Sequence, residues 1–163
     1  MGSCLLFRPA VQYEPGLVYS ILASCYAAIL DPAFENRLRE FDRDVFENPD
    51  TVGACTLISS IGSDIVGLVS YDPRQGPRVG IVGHNGVLPP YRGRGYGAQQ
   101  IMEVLRIFRT RRFDRARVST SEHPFFEPAR HMYEACGFRE CPSADGGDKG
   151  PYRIICYEMS LAE

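Results

Sequence analysis

The chain opens on a short apolar run, CLLFR at residues 4–8, closed by Pro9, which predicts a first strand. From Pro15 the apolar positions Val18, Ile21, Leu22, Cys25 and Ile29 recur at helical spacing, and Asp31-Pro32 breaks the pattern. A second helix from about Pro32 to Phe46 places Phe34, Leu38, Phe41 and Val45 on one face, and Asn48-Pro49-Asp50 ends it. The pattern then turns β-like. TVGACTLIS (51–59) and IVGLVSY (65–71) flank the turn Gly62-Ser63-Asp64 and read as a hairpin. RVGIVGHNGVL (78–88) reads as the third strand of the meander. Its glycines at 80, 83 and 86 mark a bulge or a close backbone approach.

The second half alternates. Ala98, Ile101, Met102, Leu105 and Phe108 share one face of a helix that runs to about Arg112. RARVST (115–120) is a strand, and Pro128 to Cys136 a short helix with Gly137 as its cap. FREC (138–141) is a further strand, SADGGDKG a polar loop, and YRIICYEMSL (152–161) the last strand. The order is β-α-α-β-β-β-α-β-α-β-β. It predicts an α+β fold with a mixed, mostly antiparallel sheet of six to seven strands flanked by about four helices. The 163 residues suit one domain spanning 1–163.

Composition narrows the partners. A net charge of -2 and a pI near 5.9 argue against nucleic acid, whose phosphates need a basic face. The arginines at 106, 109, 111, 112, 115 and 117 read as a solvated helix end. Six cysteines at 4, 25, 55, 136, 141 and 156 form no C-x-x-C, and with three histidines they predict free thiols and no metal. MGSCLLFRP lacks the charged start of a secretory signal, and Leu6 stands where myristoylation at Gly2 needs Ser or Thr. No apolar stretch approaches membrane-spanning length. The expected location is the cytoplasm, with no membrane partner.

The densest signal is VLPPYRGRGYGA (87–98), where Gly93, Gly95 and Gly97 alternate with Arg94 and follow Arg92. It joins a strand to a helix N-terminus, where free N–H groups and the helix dipole suit an anion. Alternating glycines let successive N–H groups converge on one oxygen cluster. A P-loop is excluded because no G-K-[ST] is present. Gly93-x-Gly95-x-x-Ala98, with Asp114 further on, satisfies a dinucleotide fingerprint literally. That fingerprint belongs in the first βαβ unit of a doubly wound sheet, whereas here an antiparallel meander precedes it.

Coenzyme A is the third class. Arg92, Gly95 and Gly97 occupy the fixed positions of [QR]-x-x-G-x-[GA], and ARHMYEACGF follows at 129–138. With both motifs in order, the chain resembles the GCN5-related N-acetyltransferase (GNAT) family. The resemblance implies that backbone N–H groups of Arg92, Gly93, Arg94, Gly95, Tyr96, Gly97 and Ala98 grip the coenzyme pyrophosphate. It implies that the strand around Val87 and Leu88 pairs with the pantetheine arm. A bulge, for which Gly83 and Asn85-Gly86 are candidates, would open a V-shaped gap against RARVST. Tyr133 matches the family tyrosine that protonates the leaving thiolate, a task suited to a positioned phenol. The family often carries an asparagine about seven residues earlier, where this chain has Phe126.

For the general base, His84 is the candidate on the bulged strand, and its side chain titrates near neutrality. Glu122, His123 and a water chain remain open. Tyr26, Phe34, Phe125, Phe126 and Tyr157 are candidate walls for the acceptor. The implied activity is transfer of an acetyl group from acetyl-coenzyme A, as co-substrate, to an amine on a small molecule or peptide by direct attack. Relatives often form homodimers. The alternative is a coenzyme A-binding sensor or regulatory module on the same scaffold, without turnover.

Overall fold

The computed structural model describes residues 3–142 and 150–162. Most of the predicted polar loop, residues 143–149, lies outside them. Seven strands form one sheet in the order β1-β2-β3-β4-β5-β7-β6. They are β1 (Leu6–Pro9), β2 (Thr56–Ile61), β3 (Asp64–Asp72), β4 (Val79–Val87), β5 (Arg115–Ser121), β6 (Arg139–Cys141) and β7 (Ile154–Ser160). Among the described strands only β4 and β5 pair in parallel, because helix α3 (Tyr96–Thr110) carries the chain between them. The other helices are α1 (Leu17–Cys25), α2 (Pro32–Glu47) and α4 (Glu127–Ala135). This is the mixed α+β sheet that the element order predicts.

Strand alternation sends neighbouring side chains to opposite faces. Leu57 and Val69 pack with Ile101, Val104, Leu105 and Phe108 of α3. Ile58 and Leu68 pack with Val18, Ile21 and Leu22 of α1 and Leu38 and Val45 of α2. The central strands are therefore apolar on both faces, which explains why β2 and β3 read as near-continuous apolar runs. One carboxylate joins the helical layer: Asp42, buried on α2, accepts from the backbone N–H of Gly16 (3.0 Å) and Tyr19 (2.9 Å) at the start of α1.

Several boundaries differ from the sequence expectation; β1, for one, begins at Leu6 and not at residue 4. Helix α1 stops at Cys25 and not near Ile29, because the Arg92 guanidinium donates to the Cys25 carbonyl (2.8 Å). The Ile29 N–H bonds to Tyr26 O instead, in a single 3-10 turn. Strand β2 begins at Thr56, not 51, because residues 51–55 are tied into turns after α2. Gly53 donates to Asn48 O there, and a Cβ on it would stand 2.5 Å from Val11 Cγ1 and Val45 O. Strand β7 begins at Ile154, two residues later than expected. The expected cap of α4 is present: Gly137 has φ +103°, and Phe138 N–H bonds back to Tyr133 O.

Candidate active site

Strand β4 loses one of its two partners halfway along. Val79 to Val82 pair with Arg115 to Val118 of β5, and the pairing then stops. On the other side, Val69 opposes Asn85 while Tyr71 opposes Val82, so Ser70 faces both Gly83 and His84. This is a β-bulge, and the extra residue bends the strand. Ser70 Oγ fixes it by accepting the His84 N–H at 2.8 Å, and a Cβ on Gly83 would meet that oxygen at 2.5 Å. The bulge thus falls at Gly83-His84, so the sequence candidate Gly83 lies on it, whereas Asn85 and Gly86 pair regularly with β3.

Beyond the bulge β4 diverges from β5. Leu88 N–H bonds to Val66 O on β3, so by ladder alternation Asn85 and Val87 turn their backbone groups away from β3 and into the gap. The Val87 carbonyl there accepts from Arg92 Nε (3.1 Å). Gln100 of α3 holds this diverging half of β4 in place. Fully buried, it donates to Asn85 Oδ1 (2.7 Å), Leu68 O (3.1 Å) and Gly86 O (3.2 Å), and its Oε1 accepts from Ser59 (2.6 Å). Sequence reasoning missed Gln100. The available signal was its position four residues before Val104, on the apolar face of α3.

The gap opens into a cavity of about 820 Å³ on the α3 and α4 side. The glycine turn forms its floor. Gly93 (φ +76°) and Gly95 (φ +81°) hold left-handed backbone that other residues adopt only at a cost. Among the described residues no side chain caps α3. Among the described residues, the N–H groups of Gly93, Arg94, Gly95, Tyr96, Gly97 and Ala98 find no acceptor, while Arg92 N–H is taken by Pro89 O. Six donors at a helix N-terminus, beside a cavity, fit a diphosphate. The residues present therefore suit coenzyme A.

Val87, Arg92, Gly93, Gly95, Tyr96, Gly97 and Ala98 line the cavity. Leu88 does not; its side chain packs with the α1–α2 core. The Arg94 side chain is exposed to solvent outside the lining. The Arg92 side chain ties β4 to the end of α1, a structural role that the anion argument did not anticipate. Tyr133 lines the same cavity from α4. Its ring packs on Phe138 and Tyr157. Among the described residues its hydroxyl has no hydrogen bond, and no side-chain oxygen is both fully enclosed and unpaired, so this hydroxyl faces the cavity. Burial, then Cys136 nearby, pushes its pKa up to about 12, which keeps it a phenol able to donate.

A second cavity of about 630 Å³ lies on the other side of the bulge, with His84, Phe41, Val52 and Tyr71 in its wall and Asp44, Asp50 and Asp72 along it. Tyr26, Gly83 and Ser119 line both cavities, which therefore meet at the bulge. His84 packs against Phe41 with the rings tilted by 54° (4.8 Å between centroids), and its Nδ1 lies 3.3 Å from Tyr26 Oη. Burial lowers its pKa to about 4, so the ring is neutral at pH 7.

Other sequence candidates are engaged elsewhere. Glu122 pairs with Arg153 (2.9 Å), and His123 Nδ1 accepts from Phe125 N–H (3.0 Å). Tyr157 is in the core and donates to Glu134 (3.2 Å). Phe125 and Phe126 wall the first cavity, and Phe34 packs behind Tyr26 at 5.0 Å. Asp114, the acidic residue of the dinucleotide reading, pairs with Arg78 (2.8 Å) at the start of β5, a full helix length from the glycine turn. Among the described residues no His, Cys, Asp and Glu gather as a metal site.

Comparison with known proteins gives the class to which this glycine-floored helix terminus and bulged, splayed parallel pair belong. Residues 18–138 match the family model described as Acetyltransferase (GNAT) family. The chain belongs to that family, and acetyl transfer is the class of reaction that membership assigns. A GNAT-family protein from Desulfovibrio desulfuricans shares the fold at 20% identity and TM-score 0.80, over 98% of this chain and 100% of that one. The ribosomal-protein-S18-alanine N-acetyltransferase from Escherichia coli superposes with TM-score 0.70 at 11% identity, over 98% and 96%. An aminoglycoside 6'-N-acetyltransferase complexed with coenzyme A gives 0.71 at 12%, over 97% and 98%. Among curated protein sequences no match is found.

Proposed function

We propose that this protein transfers the acetyl group of acetyl-coenzyme A to an amine acceptor by direct attack in a ternary complex. The carrying observation is the meeting of two cavities at the bulge, with Tyr133 on one side and His84 on the other. The coenzyme would lie in the larger cavity, its diphosphate on the N–H groups of Gly93 to Ala98 and its pantetheine arm along Asn85 and Val87. The acceptor, a small molecule or a peptide, would enter the smaller cavity past His84 and Phe41. An amine attacks only when unprotonated, and a neutral His84 can accept its proton. As the carbon–sulfur bond breaks, Tyr133 donates to the sulfur.

Tyr133→Phe tests the reading. The variant should bind acetyl-coenzyme A with near-normal affinity in calorimetry while thiol release in the presence of amines falls ~10²-fold. Full-rate turnover would remove Tyr133 from the chemistry. Coenzyme binding by the parent protein with no turnover across a broad amine panel would favour a non-catalytic coenzyme A sensor instead.

A further inference from the structure

His84 poses a difficulty for a simple base. A ring whose pKa lies near 4 does not hold a proton at neutral pH. The proton from the attacking amine must therefore leave the ring as soon as it arrives. Imidazole can do this, because it takes a proton at one nitrogen and releases one from the other. One exit is visible: Nδ1 lies 3.3 Å from the Tyr26 hydroxyl. Tyr26 is placed for the purpose, since it lines both cavities, and Tyr133 lines the one beyond it.

We propose that Tyr26 relays the acceptor's proton from His84 on the acceptor side to Tyr133 on the coenzyme side. The relay rests on the acetyl-transfer reading above. The amine nitrogen forms its bond to the acetyl carbon and gives its proton to His84 Nε2. The Nδ1 proton passes to Tyr26 Oη. Tyr26 releases its own proton through cavity water toward Tyr133, and Tyr133 donates to the sulfur that departs with the electron pair of the broken carbon–sulfur bond. One proton leaves nitrogen and one reaches sulfur, so no net charge accumulates. The His84 ring ends in its other tautomer and resets by exchange with water in the open acceptor cavity.

Electrostatics agree with this path. Burial first, then the neighbouring Tyr133, raise the Tyr26 pKa, so Tyr26 rests as a neutral phenol and releases its proton only as it receives the one from His84. Three aromatic rings also pack around Tyr26: Phe34 at 5.0 Å, Phe125 at 6.1 Å and Phe126 at 6.4 Å. Tyr26 acts through other groups and is a positioning and relay residue.

The relay requires one tautomer at rest, with the proton on Nδ1 directed at Tyr26 and the Nε2 lone pair free. Nitrogen NMR on the free protein, with ¹⁵N-labelled histidine at neutral pH, reads this directly. His84→Gln assigns the signal by its loss. The expected result is a neutral His84 in the Nδ1–H form, and loss of that preference in Tyr26→Phe. A His84 in the Nε2–H form, with Tyr26 donating to Nδ1, would overturn the relay. So would an unchanged Nδ1–H signal in Tyr26→Phe. These outcomes need no acceptor and no turnover, so the relay can fail while the transferase reading stands.

Discussion

Replacing His84 by glutamine removes a ring that the fold holds uncharged, and the consequence can be worked from its burial. The folded ring titrates at about 4, lowered by desolvation from 6.5. The unfolded ring titrates at about 6.5. Between these values the unfolded chain binds a proton that the folded chain refuses. Stability is therefore lost as pH falls through this window and is unaffected above it. At about pH 5 the two values give a loss of about 2 kcal/mol relative to about pH 8. Every other group is common to parent and variant and cancels in the difference. Urea unfolding of both proteins at these two pH values measures it. The parent should lose about 2 kcal/mol more than His84→Gln on acidification. Parallel losses would mean that the folded ring accepts a proton as readily as the unfolded one. His84 would then not be held neutral against Phe41 and Tyr26.

Two further substitutions test the scaffold. Asp42→Ala removes the carboxylate that caps α1 from a neighbouring helix, and should cost about 1–2 kcal/mol in chemical denaturation with acetyl-coenzyme A binding unchanged at 25 °C. Gln100→Leu strips four hydrogen bonds from the diverging half of β4. It should cost about 2–3 kcal/mol and weaken acetyl-coenzyme A in calorimetry, because Asn85 and Val87 lose their anchor. A Gln100→Leu protein of parental stability and affinity would show that the network does not hold the gap open.

Much of this architecture was legible because its causes are local. Helical spacing placed α2 and α3, and positive-φ glycines marked the turn at 93–95 and the cap at 137. The misplaced boundaries have distant causes. Helix α1 ends early because Arg92, sixty-seven residues away, takes the Cys25 carbonyl. Strand β2 starts late because Gly53 is wedged against Val11 and Val45. The site divided along the same line. The glycine turn and Tyr133 lie in contiguous motifs. The sharing of both cavities by Tyr26, the burial of Gln100 and the capture of the His84 N–H by Ser70 arise only when β3, β4 and two helices meet.

The central claim is that the glycine turn and the splayed strand hold acetyl-coenzyme A. Calorimetric titration of the parent protein and of Gly95→Glu, with NAD as the control ligand, tests it most directly. Gly95→Glu places a carboxylate where backbone donors await a diphosphate, on a residue with φ +81°. The account predicts that acetyl-coenzyme A binds the parent, that Gly95→Glu abolishes binding, and that NAD gives no heat. Binding of NAD in its place, or silence from acetyl-coenzyme A with a folded parent protein, would contradict it.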